Sequence, residues 1–181
     1  MIDDVPCNVT ASSTSSVTCT TGPRIGAWTT EPKLSIHLAY VSASQAFGYA
    51  ALQGHTYRYA SLWSSPSTWG GLFAPVDGES VALSTGINLL VDIDESPILN
   101  LVVADGGSII FPTDTNPSHQ RTFDAHYIFL NNHASMEVGT EEEPYTSKLT
   151  ITMHGDKWSP PIPKFGNTCI GVHQSTLDIH G

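Results

Sequence analysis

A strand–turn–strand unit recurs in the second half of the chain and limits the available architectures more than any other feature. At 98–111 the sequence reads ILNLVVADGGSIIF. Two apolar, β-rich runs flank a turn at Ala104-Asp105-Gly106-Gly107, where glycine supplies the positive φ that side chains resist. At 126–139 the unit returns as HYIFLNNHASMEVG, with Asn131-Asn132 in the turn, and at 168–181 as TCIGVHQSTLDIHG, with Gln174-Ser175 there. Aligning Val102, Ile128 and Ile170 leaves an apolar residue two positions earlier or later in each copy. One unit reused at irregular intervals, with loops absorbing the difference, predicts stacked coils. Each coil needs its neighbour to bury its apolar face.

Charge decides which partners are excluded. Seven Lys+Arg stand against 17 Asp+Glu, a formal net charge of −10. That balance argues against nucleic acid, whose phosphates need a basic footprint. It equally disfavours attraction to anionic lipid, or to an acidic polysaccharide held by charge alone. No apolar run approaches the roughly 20 residues of a membrane span, so no membrane contact is expected of this chain. The early residues form no secretory signal core. The opening MIDDVPCNVT reads as the middle of a module, and the chain as a piece of something larger.

The cysteines point to a compartment. Cys7 and Cys19 lie on Val/Thr-rich segments, PCNVTA and SVTCTT, separated by the turn ASSTSS; a hairpin of these brings the thiols within bridging reach. Asn8-Val9-Thr10 is a glycosylation sequon, with an unmodified turn as the plainer reading. A cystine and a sequon in one short hairpin favour an extracellular setting. Cys169, between Thr168 and Ile170 in an apolar strand, reads as a buried free thiol rather than a nucleophile.

Residues 1–59 read as β throughout. After Gly22-Pro23, LSIHLAYV is expected to place Ile36, Leu38 and Tyr40 on one strand face, and 53–59 forms a further strand. At Leu62 the texture changes to WSSPSTWGGLFAPVDGES, loop composition with large apolar anchors. Trp63 and Trp69 are expected to cap the following stack, whose first coil has nothing to pack against; stacking on sugars is the alternative. VALSTGINLLVDID reads as two strands around Thr85-Gly86, 113–121 as a polar loop, and 141–143 as a solvated acidic turn. LTITMHG is a strand by alternation, and DKWSPPIPKFGN an insertion between coils.

Several of these segments occur together in a known order. They are WSSPSTWGG, Pro75 with Gly78-Glu79-Ser80-Val81, Gly86 before LLVDID, and Pro97 before LNLVV. Ala125-His126-Tyr127-Ile128, Val138-Gly139-Thr140-Glu141 ahead of Pro144, LTITMHG and LDIHG follow. Over 62–181 this set resembles the eight-glycine (G-eight) domain of the fibrocystin family, found also in two hyaluronan-processing cell-surface or secreted relatives. Upstream, VPCNVTA, VTCTTG and GYAALQGHTYRY resemble the second half of an IPT/TIG module. That tandem is similar to the fibrocystins rather than to the hyaluronan-processing relatives. Residues 1–60 are too few for a whole Ig-like sandwich of about 85–100 residues.

The resemblance implies an all-β fold: the C-terminal half of an Ig-like (IPT/TIG) β-sandwich over 1–60, then a right-handed parallel β-helix-like solenoid over 61–181. It further implies the extracellular part of a large, membrane-anchored, receptor-like or surface-coat protein. The expected function is a non-enzymatic structural and ligand-binding module; a hyaluronan-binding or hyaluronan-depolymerising domain is the alternative. Its partners would be a protein or glycan ligand and the remainder of the parent β-helix. The last coil should expose an apolar stack end, making the isolated fragment marginal or self-associating.

Residues able to carry chemistry are few. His119, His126 and His133 fall seven apart, but in strand–turn–strand that odd spacing sends side chains to opposite faces. No Cys or His pair has zinc-site spacing, so no transition metal is expected. Asp92, Asp94 and Glu95 could offer oxygens to Ca2+, with Asp92 and Asp94 on one strand face; a charged strand end next to Pro97 is the plainer reading. No cofactor is expected otherwise. A hydrolase needs an acid and a base in one cleft. Asp77, Asp92, Asp94 and His126 lie in the resembling segments, and Asp92, Asp94 and His126 are the catalytic candidates. Resemblance to fibrocystins implies no hydrolysis. Arg121 is the only arginine after Arg58, a thin clamp for a polyanion.

Overall fold

The structure, a computed structural model, describes residues 7–13, 17–22, 36–38, 48–50, 60–113, 116–141 and 143–181. The chain divides into two compact units, Met1–Arg58 and Tyr59–Gly181. In the first, β1 (Cys7–Ser12) and β2 (Val17–Thr21) pair antiparallel, with Asn8 opposite Thr20 and Val9 opposite Cys19. The expected hairpin holds a Cys7–Cys19 disulfide. Asn8 is exposed on it, and the Thr10 hydroxyl donates to the Thr18 carbonyl at 3.2 Å. β3 (Ile36–Leu38) pairs antiparallel with β4 (Gly48–Ala50). The expected sidedness of Ile36, Leu38 and Tyr40, and the segment 53–59, lie outside the described residues.

The second unit begins with β5 (Ser61–Leu62) and a 3-10 turn at Pro66–Trp69. Then come β6 (Ser80–Ser84), β7 (Asn88–Leu90), β8 (Glu95–Asp105), β9 (Ser108–Phe111), β10 (Gln120–Asn131) and β11 (Ser135–Val138). The last are β12 (Lys148–Met153), β13 (Ile170–His173) and β14 (Thr176–Ile179). One sheet has the order β12-β10-β8-β6, with β13 also on β10; the other runs β14-β11-β9-β7-β5. Every pairing between these strands is parallel. The chain crosses from one sheet to the other at β6–β7, β8–β9, β10–β11 and β13–β14, advancing one strand in each sheet per crossing. No α-helix occurs among the described residues.

The register explains why apolar residues recur as they do. Val81, Val102, Ile128 and Ile170 are successive partners across the first sheet, as are Leu83, Ala104, Leu130 and Val172. In the second sheet Leu89, Ile109, Met136 and Leu177 form the matching column. The columns fill the space between the sheets, and each fully buried aliphatic side chain contributes about 1.5–3 kcal/mol of transfer free energy. Within these columns burial fails at the last strands, where Val172 is 37% and Leu177 40% exposed.

Three expectations are corrected here. The polar loop ends before Gln120, and Arg121 is a strand residue facing inward, 8% exposed. Its Nη1 donates to the Pro112 carbonyl at 2.8 Å and to the Tyr145 hydroxyl at 3.4 Å, contacts that let a guanidinium enter the interior. Asp92 and Asp94 do not share a strand face, because β7 stops at Leu90 and 91–94 is a connection. Cys169 precedes β13 and is half-buried, its Sγ 3.7 Å from the Gly166 carbonyl.

One irregularity positions the site. In β10 the inward set Arg121, Phe123, Ala125 changes phase to Ile128, Leu130, leaving His126 and Tyr127 both half-exposed. The N-terminal half of β10 pairs with β12 and its C-terminal half with β13. Between those partners the chain leaves the sheet for the excursion 154–169.

Candidate functional site

The site forms where that excursion departs. The backbone N–H of His154 donates to the Ala125 carbonyl at 2.8 Å, closing the Ala125–Met153 pair that ends the β10–β12 ladder. His154 therefore stands beside His126 on the outer face, with ring centroids 6.1 Å apart. Its Nε2 lies 2.7 Å from Asp124 Oδ1. Asp124 alternates outward from Phe123 and Ala125, and its own N–H donates to Ser96 Oγ on β8 at 2.8 Å. The Ser96 hydroxyl in turn donates to the Pro97 carbonyl at 3.0 Å. One carboxylate and two imidazoles thus lie side by side at the end of the β10–β12 ladder.

The excursion is pinned beside them. The Tyr127 hydroxyl donates to the Pro160 carbonyl, and Phe129 and Phe165 meet edge-on at 5.2 Å. The loop carries Trp158, 79% exposed, with Lys157 Nζ 4.9 Å from its ring centroid.

Of the residues singled out from sequence, only His126 belongs to this cluster. Asp92 accepts from Ser64, at 2.9 Å from the backbone N–H and 2.5 Å from the hydroxyl. Asp94 Oδ1 lies 2.7 Å from His119 Nε2. Asp77 Oδ1 accepts the Ile98 N–H at 2.8 Å. Among the described residues no hydrogen bond or ion pair joins Asp92 or Asp94 to His126. His119, His126 and His133 occupy separate surroundings, His133 in a turn at φ 62°. No three His, Cys, Asp or Glu side chains among the described residues are arranged to hold a metal ion. The residues the sequence reading missed are Asp124 and His154. Alternation in LTITMHG does place His154 outward, but nothing local pairs it with a residue 30 positions away.

Of the two capping candidates, Trp63 is buried and Trp69 is half-buried against it. Trp63 is 2% exposed, edge-on to Trp69 at 5.2 Å and to Phe123 at 6.0 Å, and so offers no open face to a sugar. Trp69 Nε1 donates to the Trp63 carbonyl at 2.7 Å.

Ca2+ would have to displace Ser64 from Asp92 and His119 from Asp94. The chain is therefore expected to melt at the same temperature with millimolar Ca2+ or with EDTA; a rise in Tm reversed by EDTA would contradict this.

Fold and site together define the class: an all-β protein with two parallel sheets built by alternate strands and a His–Asp cluster on one outer face. The model of the G8 domain family matches residues 68–181, and the chain belongs to that family. It is similar to fibrocystin-L of Mus musculus, 34% identical over 134 residues, which is 74% of this chain and 3% of that protein. Fibrocystin of Mus musculus is 30% identical over 150 residues, 83% of this chain and 4% of that protein. Cell surface hyaluronidase CEMIP2 of Homo sapiens is 33% identical over 89 residues, 48% of this chain and 6% of that protein. The chain thus spans a small fraction of the length of these relatives. No solved structure matches it.

Proposed function

We propose that the chain is a non-enzymatic, extracellular structural and ligand-binding module of a large, membrane-anchored, receptor-like or surface-coat protein. In this reading 61–181 is a right-handed parallel β-helix-type domain, and 1–60 is the end of an IPT/TIG Ig-like domain. The observation that carries it is the in-register stack. Its columns hold Val102, Ile128, Ile109 and Met136 at no more than 1% exposure. Such a stack is a stiff, repetitive surface suited to holding a protein or glycan along its coils.

Other features support the extracellular part of the reading. A disulfide ties the first hairpin, and Asn8 of the sequon is exposed beside it. The exposed Leu177 and Ile179, with an apolar recess lined by Val138, Tyr145, Leu149 and Ile151, suit cover by further coils of the parent protein. The second reading is hyaluronan binding or depolymerisation. Likeness to a cell surface hyaluronidase favours it, as does a His–Asp pair of the kind that general acid–base chemistry uses.

One preparation tests both readings. Secreted from mammalian cells, the chain is expected to lose mass on peptide-N-glycosidase treatment, to self-associate in sedimentation, and to leave the size of added hyaluronan unchanged. Shortening of hyaluronan that disappears in Asp92→Asn or His126→Ala would replace the module reading with the enzymatic one.

A further inference from the structure

We propose that His126 and His154 together bind a divalent transition-metal ion, Zn2+ in the first instance, with Asp124 orienting the His154 ring. The proposal stands apart from the module reading. Neighbouring strands lie about 4.7–4.9 Å apart, and side chains at adjacent ladder positions on one face project in parallel. His126 and His154 each directly follow the last registered pair of the β10–β12 ladder, Ala125–Met153, whose closing bond is His154 N–H to the Ala125 carbonyl. With a Zn–N bond of about 2.0–2.1 Å, a ring centroid stands roughly 3.2 Å from the ion, so two rings bridge it at centroid separations up to roughly 6.4 Å, the linear limit. The observed 6.1 Å falls within that reach. A side-chain adjustment of about 1 Å brings the pair to the tetrahedral angle.

Asp124 supplies the second requirement. Its Oδ1 is 2.7 Å from Nε2 of His154, which in the neutral ring assigns the proton to Nε2 and leaves the Nδ1 lone pair for the ion. Carboxylate-held imidazoles are the ordinary form of a metal-binding histidine. The backbone N–H of Asp124 donates to the Ser96 hydroxyl, which ties this position of β10 to β8. The pairs His119–Asp94 and His180–Asp178 share the carboxylate. The net charge of −10 favours accumulation of cations over anions. Two protein nitrogens, with water completing the shell, set the expected affinity in the micromolar range rather than that of a closed structural site.

Calorimetric titration of the 181-residue chain with ZnCl2 near neutral pH is expected to show one saturable site. His126→Ala and His154→Ala should each weaken it at least about tenfold, and Asp124→Asn by about tenfold, while His119→Ala leaves it unchanged. In the unsubstituted chain, the imidazole resonances of His126 and His154 should shift together as Zn2+ is added. That measurement is independent of whether any variant folds. Absence of saturable binding, or Zn2+ that moves other histidines and not these two, overturns the assignment.

Discussion

Phe123→Ala is expected to destabilise the second unit by about 3–5 kcal/mol and to lower its Tm by roughly 10 °C. Phe123 is fully buried on β10 and meets two rings edge-on: Trp63 at 6.0 Å and Phe111 at 5.3 Å. Trp63 follows β5 at the margin of the second sheet, Phe111 ends β9 in that sheet, and Phe123 comes from the first. The three rings therefore join the sheets across the interior, and each edge-to-face pair adds about 0.5–1.5 kcal/mol beyond burial. Removing the middle ring leaves a void that neighbours held in two ladders cannot close. Chemical denaturation measures the effect, with Phe123→Leu expected to retain most of the stability. A loss below about 1 kcal/mol for the alanine variant would show that the ring trio is peripheral.

The other large effect is steric. Gly107→Val is expected to cost at least about 3 kcal/mol, or to prevent folding of the second unit. A Cβ on Gly107 would meet the carbonyl oxygens of Ile87 and Ser84 at 2.9 Å each and Leu83 Cβ at 3.0 Å. Those oxygens belong to the turn of the preceding coil, and Ile87 O already accepts the Ser108 N–H at 2.8 Å. A side chain there would pry adjacent coils apart. Gly78→Ala is the comparison: its φ is +80°, but an added Cβ meets nothing within 4 Å, so only the backbone cost of about 1 kcal/mol applies. Equal melting temperatures for the two variants would refute the close-approach account.

The same turn shows how far local reading reaches. Glycine in the turn Asp105-Gly106-Gly107 is expected to serve positive φ. Only Gly106 does so, at +74°, whereas Gly107 is needed for the space it leaves. The difference lies in the neighbouring coil, which a turn pattern does not describe. Asn132, at φ 54°, fills the left-handed role in the next copy, and Gln174, at φ 50°, does so in the last. Asparagine adopts that region readily, and glutamine does so under the constraint of the flanking ladders.

The aligned column of Val102, Ile128 and Ile170 was legible because alternation within a strand is local, and equal units must stack in register to bury it. The hairpin of Cys7 and Cys19 was legible for a similar reason: a short turn leaves few pairings open. Arg121 was misread because its polarity outweighed its phase with Phe123 and Ala125; only its contacts with Pro112 and Tyr145 explain an inward guanidinium. Asp92 and Asp94 were assigned a shared face that ceases to exist once β7 ends at Leu90.

What the amino-acid order determined by itself was the repeating β unit, its inward residues and its turns, all properties of a few consecutive positions. Which strand lies beside which was decided only in three dimensions, because the lengths of excursions such as 154–169 set no pairing of their own. The joining of Asp124, His126 and His154 is the consequence. Parallel ladders bring together side chains that share no local pattern, through hydrogen bonds between strands far apart along the chain.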